Sequence, residues 1–442
     1  MNHWVWLFGK IARRLWFRAS LYCLAGISAA LAAILLGPYI PASLTTKLGA
    51  DAVGSILTII ASSMLAVTTF SLSTLVSATA SAAGSATPRA TTLMLEDETA
   101  QRALATFLGA FLFALVGLIT LHTGAYGDGG RLVLFAATLV MIALVVLTLL
   151  RWIDYLARLG RMGETIARVE AVAEREIDAY CKAPLNGCRL LTTVPAQAVF
   201  VEPEKPGYVQ RIDFTTLQGL AENMDARVFI LRRPGGLTGP GLPLLAVACE
   251  SRGLFDDQAE ALRKAFVVDR QRDFAQDPRF GLVVLAEIGI RAHSPAVNDP
   301  GTSIDVANAQ LRLHVRLAEG ELKAQIKAEA AAGETDGGAT TGGDATVSFP
   351  RLHLPPITPA DFFEDSFLGM ARDGAGALEF AVRLQKIFHV LMHVDHPATR
   401  VAARQMAEEA AERSLAALTF AADRQRFLTA CKTLDLKITG AD

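Results

Sequence analysis

The sequence predicts a membrane α-helical protein: four transmembrane helices, then a cytoplasmic α+β region. Three observations predict this class. Four long apolar stretches succeed one another in the first third of the chain. Basic residues and tryptophans gather on one side of them. Beyond residue 153 the pattern changes to the alternating and amphipathic segments of a water-facing domain, with a small barrel-sandwich-like β module and a helical C-terminal unit.

Each span is long enough to cross a hydrocarbon core of about 30 Å, which takes about 20 helical residues. They run Leu21–Ile40, Val53–Thr79, Ala103–Thr123 and Leu132–Trp152, within a membrane domain expected over 19–153. Lys10, Arg13, Arg14 and Arg18 precede the first span, Arg89 and Arg102 separate the second from the third, and Arg151, Arg158 and Arg161 follow the fourth. The rule that positive charge stays inside then puts both termini in the cytoplasm of a multi-pass inner-membrane protein. Trp4, Trp6, Trp16 and Trp152 fall at the same interface. Residues 1–18 mix aromatic, aliphatic and basic side chains as an interfacial amphipathic helix does.

The second span carries no charge from Val53 to Pro88 and is rich in hydroxyls. At about 100° per residue, Ser55, Thr58, Ser62, Thr69, Ser73 and Ser77 share one face. Two readings stand for that face: close helix packing, which favours small and hydroxyl residues, and the wetted wall of a pore. No span holds a central ionisable residue, which argues against a proton relay.

A connecting helix is expected over 154–180, with Ile166, Val169, Val172 and Ile177 at helical spacing. The module over 181–250 reads as strands at Ala198–Val201, Gly207–Asp213, Arg227–Leu231 and Leu242–Val247, with a short helix at Thr215–Asn223 and a turn at Pro234-Gly235-Gly236. Its order resembles the barrel-sandwich of lipoyl and biotinyl carriers, but no lysine stands at a hairpin tip to bear a prosthetic group.

The helical module over 251–327 holds the most distinctive residues. A helix at Asp256–Phe266 leads to Arg272, Gln276 and Asp277; a second, Leu282–Ala292, ends at His293-Ser294-Pro295; Asn298-Asp299-Pro300 opens a third. Asp299 is a natural N-cap with Pro300 at the first helical position. The spacing Arg272…Gln276-Asp277…Phe280-Gly281, then Arg291-Ala292-x-Ser294-Pro295-x-x-Asn298-Asp299-Pro300-x-Thr302, resembles the DUF2254 family of bacterial predicted membrane proteins. The four-span N-terminal third and Gly207-Tyr208-Val209-Gln210-x-Ile212-Asp213 are similar to it too. His293 stands where that pattern has leucine, and Asp273 where it has threonine. The resemblance implies the architecture and leaves the activity open.

Arg272, Gln276, Asp277, Arg291, Ser294, Asn298, Asp299 and Thr302 would converge if their two helices packed antiparallel. The cluster then reads either as a buried network satisfying turns and helix ends, or as a ligand or subunit-interface site. No nucleophile with a base is evident, and Gly235-Gly236…Gly239…Gly241 lacks the Lys-Ser/Thr of a phosphate loop, so an enzyme is not expected. A flexible insertion is expected over 328–350, rich in Ala, Gly, Thr and acidic residues, followed by a helical unit over 351–442. His389, His393 and His396 have zinc-like spacing, but Ile387, Leu391 and Met392 mark an amphipathic core helix, so no metal is assigned.

The chain has 442 residues, 52% of them hydrophobic and 19% charged, with a formal net charge of -2. Without a basic field, a nucleic-acid partner is not expected. Five scattered cysteines give neither a disulfide framework nor a metal ribbon, which suits a reducing compartment; no cofactor is implied. The lipid bilayer is the expected partner. Function divides into two expectations. In one the protein is a homo-oligomeric channel or transporter for a small solute or ion, with a regulatory cytoplasmic domain. In the other it is a membrane-anchored ligand sensor or scaffold.

Overall fold

A computed structural model describes residues 15–36, 50–85, 87–90, 97–123, 128–249, 255–333 and 347–434. The expected interfacial helix lies mostly outside these residues, as do Trp4 and Trp6. The chain divides into two compact units, residues 2–84 with 88–164, and residues 165–442 with Met1 and 85–87.

Among the described residues of the first unit four helices are long and apolar enough to cross a membrane: α1 (Leu15–Leu36), α2 (Ala50–Ser85), α3 (Glu98–His122) and α4 (Asp128–Arg158). Half of the α3 span (50%) is buried, against 17%, 22% and 11% for α1, α2 and α4, so α3 is the central helix. Its N-terminus is capped by Asp97, whose carboxylate accepts from the Thr99 and Ala100 amides. Where α1 crosses α3 the backbones nearly touch. A Cβ on Gly26 would lie 2.6 Å from the Gly109 carbonyl, and one on Gly109 would lie 2.9 Å from that of Tyr22. Small residues permit this approach, and dispersion over the close contact holds the helices together where lipid supplies no hydrophobic drive. Trp152, expected at the membrane interface, is buried in this core and stacked on Tyr155 at 5.1 Å. Its bulk is worth more against the bundle than at its rim.

The connecting helix does not run through as expected. Helix α4 stops at Arg158, Gly160 takes a left-handed φ of +82°, and α5 (Met162–Lys182) starts afresh. Thr165, Ile166, Val169, Ala173, Ile177, Tyr180 and Cys181 form the buried face of α5.

The second unit contains two sheets. The larger has the order β1 (Cys188–Leu190), β8 (Phe349–Leu354), β4 (Ala226–Ile230), β6 (Leu245–Cys249), β2 (Val199–Val201). β8 runs parallel to both β1 and β4, and the remaining pairs are antiparallel. The smaller sheet, β5 (Leu237–Thr238), β3 (Gly207–Ile212), β7 (Phe266–Asp269), is antiparallel. No closed barrel forms, which corrects the barrel-sandwich expectation. Residues 181–250 supply six of the strands, while β7 begins on the last residue of the expected helix 256–266 and β8 straddles the expected insertion and the start of the expected helical unit over 351–442. Helix α6 (Phe214–Asn223) and α7 (Asp256–Lys264) accompany them. Val209, Ile212, Leu217, Val228, Ile230, Leu245, Val247, Leu262, Leu352 and Leu354 form the shared core. The opposite face of the large sheet buries Phe229, Ala246 and Ala248.

Helices complete the unit: α8 (Phe280–Ala292), α9 (Pro300–Gly333), α10 (Pro359–Phe363), a π-turn at Glu364–Leu368, α11 (Gly369–Asp373), α12 (Leu378–Leu391), α13 (Pro397–Ala417) and α14 (Ala421–Thr433). Phe362, Phe363, Phe367, Phe380 and Phe388 are fully buried among them. Helix α9 carries on to Gly333, six residues into the expected insertion; residues 334–346 lie outside the described residues.

Candidate functional site

The two expected sites are built on different elements. On α2, Val53, Leu57, Ile60, Met64, Ser71 and Leu75 are buried, a narrow stripe at three- and four-residue steps. Ser55, Thr58, Ser62, Thr69, Ser73 and Ser77 are all exposed. With 100° per residue, their mean direction lies roughly 170° from the stripe. The hydroxyl face therefore points straight away from the helix's own packing. Several of these groups are tied to the helix itself: Thr58 donates to the Gly54 carbonyl at 2.8 Å, Ser62 to Thr58 at 2.9 Å and Thr69 to Leu65 at 3.0 Å. Such a hydroxyl has spent its proton on the backbone and presents oxygen lone pairs outward.

The polar cluster of the second unit is divided. Helices α8 and α9 do pack against each other as an antiparallel hairpin, with Gln310 Nε2 donating to the Leu282 carbonyl at 2.8 Å. That arrangement separates the motif halves, because Arg272, Gln276 and Asp277 precede α8 while Arg291 stands on its last turn and Ser294 through Thr302 follow its other end. Thirteen residues of helix, about 20 Å, lie between them.

The first half is a junction. Asp277, 2% exposed, accepts Nε and Nη2 of Arg272 at 3.0 and 2.8 Å and the Arg279 amide at 3.1 Å. Burial pushes its carboxyl up, against the pull of Arg272 and of the Arg279 amide. The Arg272 guanidinium also lies over the Phe280 ring at 4.9 Å. Gln276 has a left-handed φ of +61°; its amide donates to Glu176 on α5, and its side-chain oxygen accepts from the Ile212 amide on β3, both at 3.1 Å. Gly235, at φ +88°, fits against this pair: a Cβ there would collide with Asp277 Oδ2 and lie 2.9 Å from Arg272 Nη2. The Gly235 amide donates to Val209 and the Val209 amide to Gly236, closing the turn onto β3.

The second half shapes a helix entrance. The Ser294 carbonyl accepts from the Val297 and Asn298 amides, and Asn298 adopts φ +47°. Asp299 accepts the Thr302 amide at 3.1 Å and its hydroxyl at 2.6 Å, capping α9 as its sequence position implied. Those bonds hold the Asp299 carboxyl below the usual range. Arg291 sits half-buried on the last turn of α8. The ring of His293, whose pKa burial lowers, packs edge-on to Phe380 at 4.5 Å.

The three histidines do not converge. His393 Nδ1 meets the His389 carbonyl at 2.7 Å, and His396 is the N-cap of the following helix, with Nδ1 2.8 Å from Thr399 Oγ1. Among the described residues no group of three or more His, Cys, Asp or Glu side chains is placed to hold a metal.

Three features escaped the sequence reading. His314 Nε2 lies 2.9 Å from Ser366 Oγ, a hydroxyl–imidazole pair that the π-turn brings together. The two are 1% and 0% exposed, closed to any substrate, and burial takes the imidazole down to about 3. Arg233 is half-buried, its guanidinium bonded to the Pro355 and Pro184 carbonyls and 6.0 Å from the Tyr180 ring. An open groove of about 490 Å³ runs between α5 and α9, lined by Asp178, Cys181, Lys182, Arg316, Gly320 and Lys323 among others. Arg316 there bridges Asp178 and Glu174, each at 2.6 Å. None carried a signal in the sequence, since each depends on contacts between residues 49 to 142 positions apart.

Four apolar helices followed by a mixed α/β unit define the class: a multi-span membrane protein with a large extramembrane domain. The chain belongs to the DUF2254 family of predicted membrane proteins, whose pattern matches residues 12–390. It is similar to uncharacterized proteins of Mycobacterium bovis and Mycobacterium tuberculosis, at 27% identity over 225 residues in each case. Those alignments take in 48% of this chain and 42% of each relative, so the chain spans less than half the length of the curated relatives it matches. No solved structure matches the chain.

Proposed function

We propose that the protein is the protomer of a homo-oligomeric inner-membrane channel or transporter, with α2 lining the path and the second unit regulating it from the cytoplasm. The observation that carries this reading is the direction of the α2 hydroxyl face. Ser55, Thr58, Ser62, Thr69, Ser73 and Ser77 are exposed opposite the stripe that packs, so the single chain leaves them uncovered. Facing lipid, those hydroxyls would gain nothing; facing its symmetry copies, they would line an uncharged path for a small solute or ion, interspersed with the exposed Ile59, Leu65, Phe70 and Val76. Four spans are few for a closed path within one protomer, which favours association. The purified protein in liposomes is expected to conduct, and Ser62→Leu or Thr69→Leu to reduce or alter the flux. A monomer without flux would overturn the proposal.

A second reading, a membrane-anchored sensor, draws on the groove between α5 and α9 and on the separate compactness of residues 165–442. It calls for the soluble unit to bind a ligand, with the α2 substitutions leaving function intact.

A further inference from the structure

Glu321 lies on α9 with Oε2 buried and, among the described residues, without a hydrogen-bond partner. Beside it stands the His396 imidazole, Nδ1 at 3.6 Å; the two side chains are only 15% and 14% exposed. His396 is the N-cap of α13, with Pro397 at the first helical position, so the carboxyl is held against the entrance of a 21-residue helix. From α5, Tyr180 and Cys181 face the same knot. Tyr180 donates its hydroxyl to the Ile357 carbonyl at 3.3 Å, and Cys181 Sγ lies 3.8 Å from the Leu317 carbonyl. Tyr180 in turn feels Arg233 and Asp361, and Cys181 feels Asp178 and Arg316.

A neutral carboxyl tolerates this enclosure and brings a donor of its own. An ionised one must draw on donors that are already shared: the Tyr180 hydroxyl, whose pull on Glu321 is outweighed by burial and which also donates to Ile357, and the His396 ring, engaged with Thr399. We propose that Glu321 and His396 form a proton-operated latch that fastens the N-terminus of α13 to α9, closed when Glu321 is protonated and loosened when it ionises. Burial raises the Glu321 carboxyl to about 7 and lowers His396, which places the change near neutrality. The closed form binds the extra proton, so closure is favoured below that value and lost as pH rises through it.

Amide hydrogen exchange on the full-length protein in detergent tests this, read over the first two turns of α13 between about pH 5.5 and about pH 8.5 and corrected for the intrinsic pH dependence of exchange. Protection in the wild type is expected to fall by roughly tenfold across that interval, about one kcal/mol or slightly more. Glu321→Gln is expected to hold its protection at both ends. His396→Asn, which places a favoured N-cap residue there, should flatten the same response, and it carries the test should Glu321→Gln fail to fold. Wild-type protection that is constant or rises with pH, or a wild-type response retained in the folded variants, would overturn the latch.

Discussion

Asp277 Oδ2 takes both Nε and Nη2 of Arg272 and occupies the space that a side chain on Gly235 would need. One carboxylate thereby lets the turn before β5 pack closely on the entrance of α8, while its neighbour Gln276 ties the same entrance to β3 and α5. Gly235→Ala meets both a left-handed backbone and that carboxylate, and is expected to destabilise by about 2 kcal/mol or more. Asp277→Asn leaves Arg272 without its counter-charge, a loss of about 3 kcal/mol because Arg272 keeps some solvent. Thermal unfolding of the purified protein reads both, and wild-type midpoints in the two variants would refute the junction.

The α1–α3 crossing rests on two glycines whose absent side chains let the backbones meet. Gly26→Val or Gly109→Val must push the helices apart, with an expected loss of about 1–3 kcal/mol from overpacking. Thermal stability in detergent should fall for both, while Gly163→Ala, with open space at its Cβ, should not register comparably.

Asp299 caps α9 through Thr302. Asp299→Ala is expected to lose about 1 kcal/mol, and Asp299→Asn much less. The folded carboxyl lies below its unfolded range, so its contribution is present above the unfolded value and disappears as pH falls through the folded one. The gap between wild type and the alanine variant should therefore narrow on acidification, as seen in unfolding midpoints across a pH series.

His314 is buried beside Ser366, Phe363 and Phe367, and its imidazole is held down to about 3. The unfolded chain takes up that proton first, so stability is lost as pH falls below about 6.5, by about 1.4 kcal/mol per pH unit. His314→Gln can still bond Ser366 but does not titrate, and should show a shallower acid slope. An unchanged slope would place the acid sensitivity elsewhere.

Much of the architecture was legible locally. A long uncharged apolar run has few alternatives to a membrane-crossing helix, because unpaired backbone groups are intolerable in hydrocarbon. The Asp299-Pro300 helix start, the Gly235 turn and the strands around Gly207 and Arg227 were likewise readable from neighbouring residues, since caps and turns are set within a few positions.

Tertiary structure decided what long-range pairing controls. β8 alternates Leu352 and Leu354 with Arg351 and His353, but its six residues contain Pro350 and follow a low-complexity stretch. Only its place between β1 and β4 makes it a strand and opens the expected barrel into a mixed sheet. Residues 272–277 and 291–302 share a motif in the sequence, yet the rigid length of α8 keeps them apart. Glu321 and His396 stand 75 positions apart and meet only because α9 and α13 fold together. Sequence determined that four helices are apolar and that one carries hydroxyls on a single face. Which side of that helix packs and which is left open followed from side chains that α2 meets only in the folded chain.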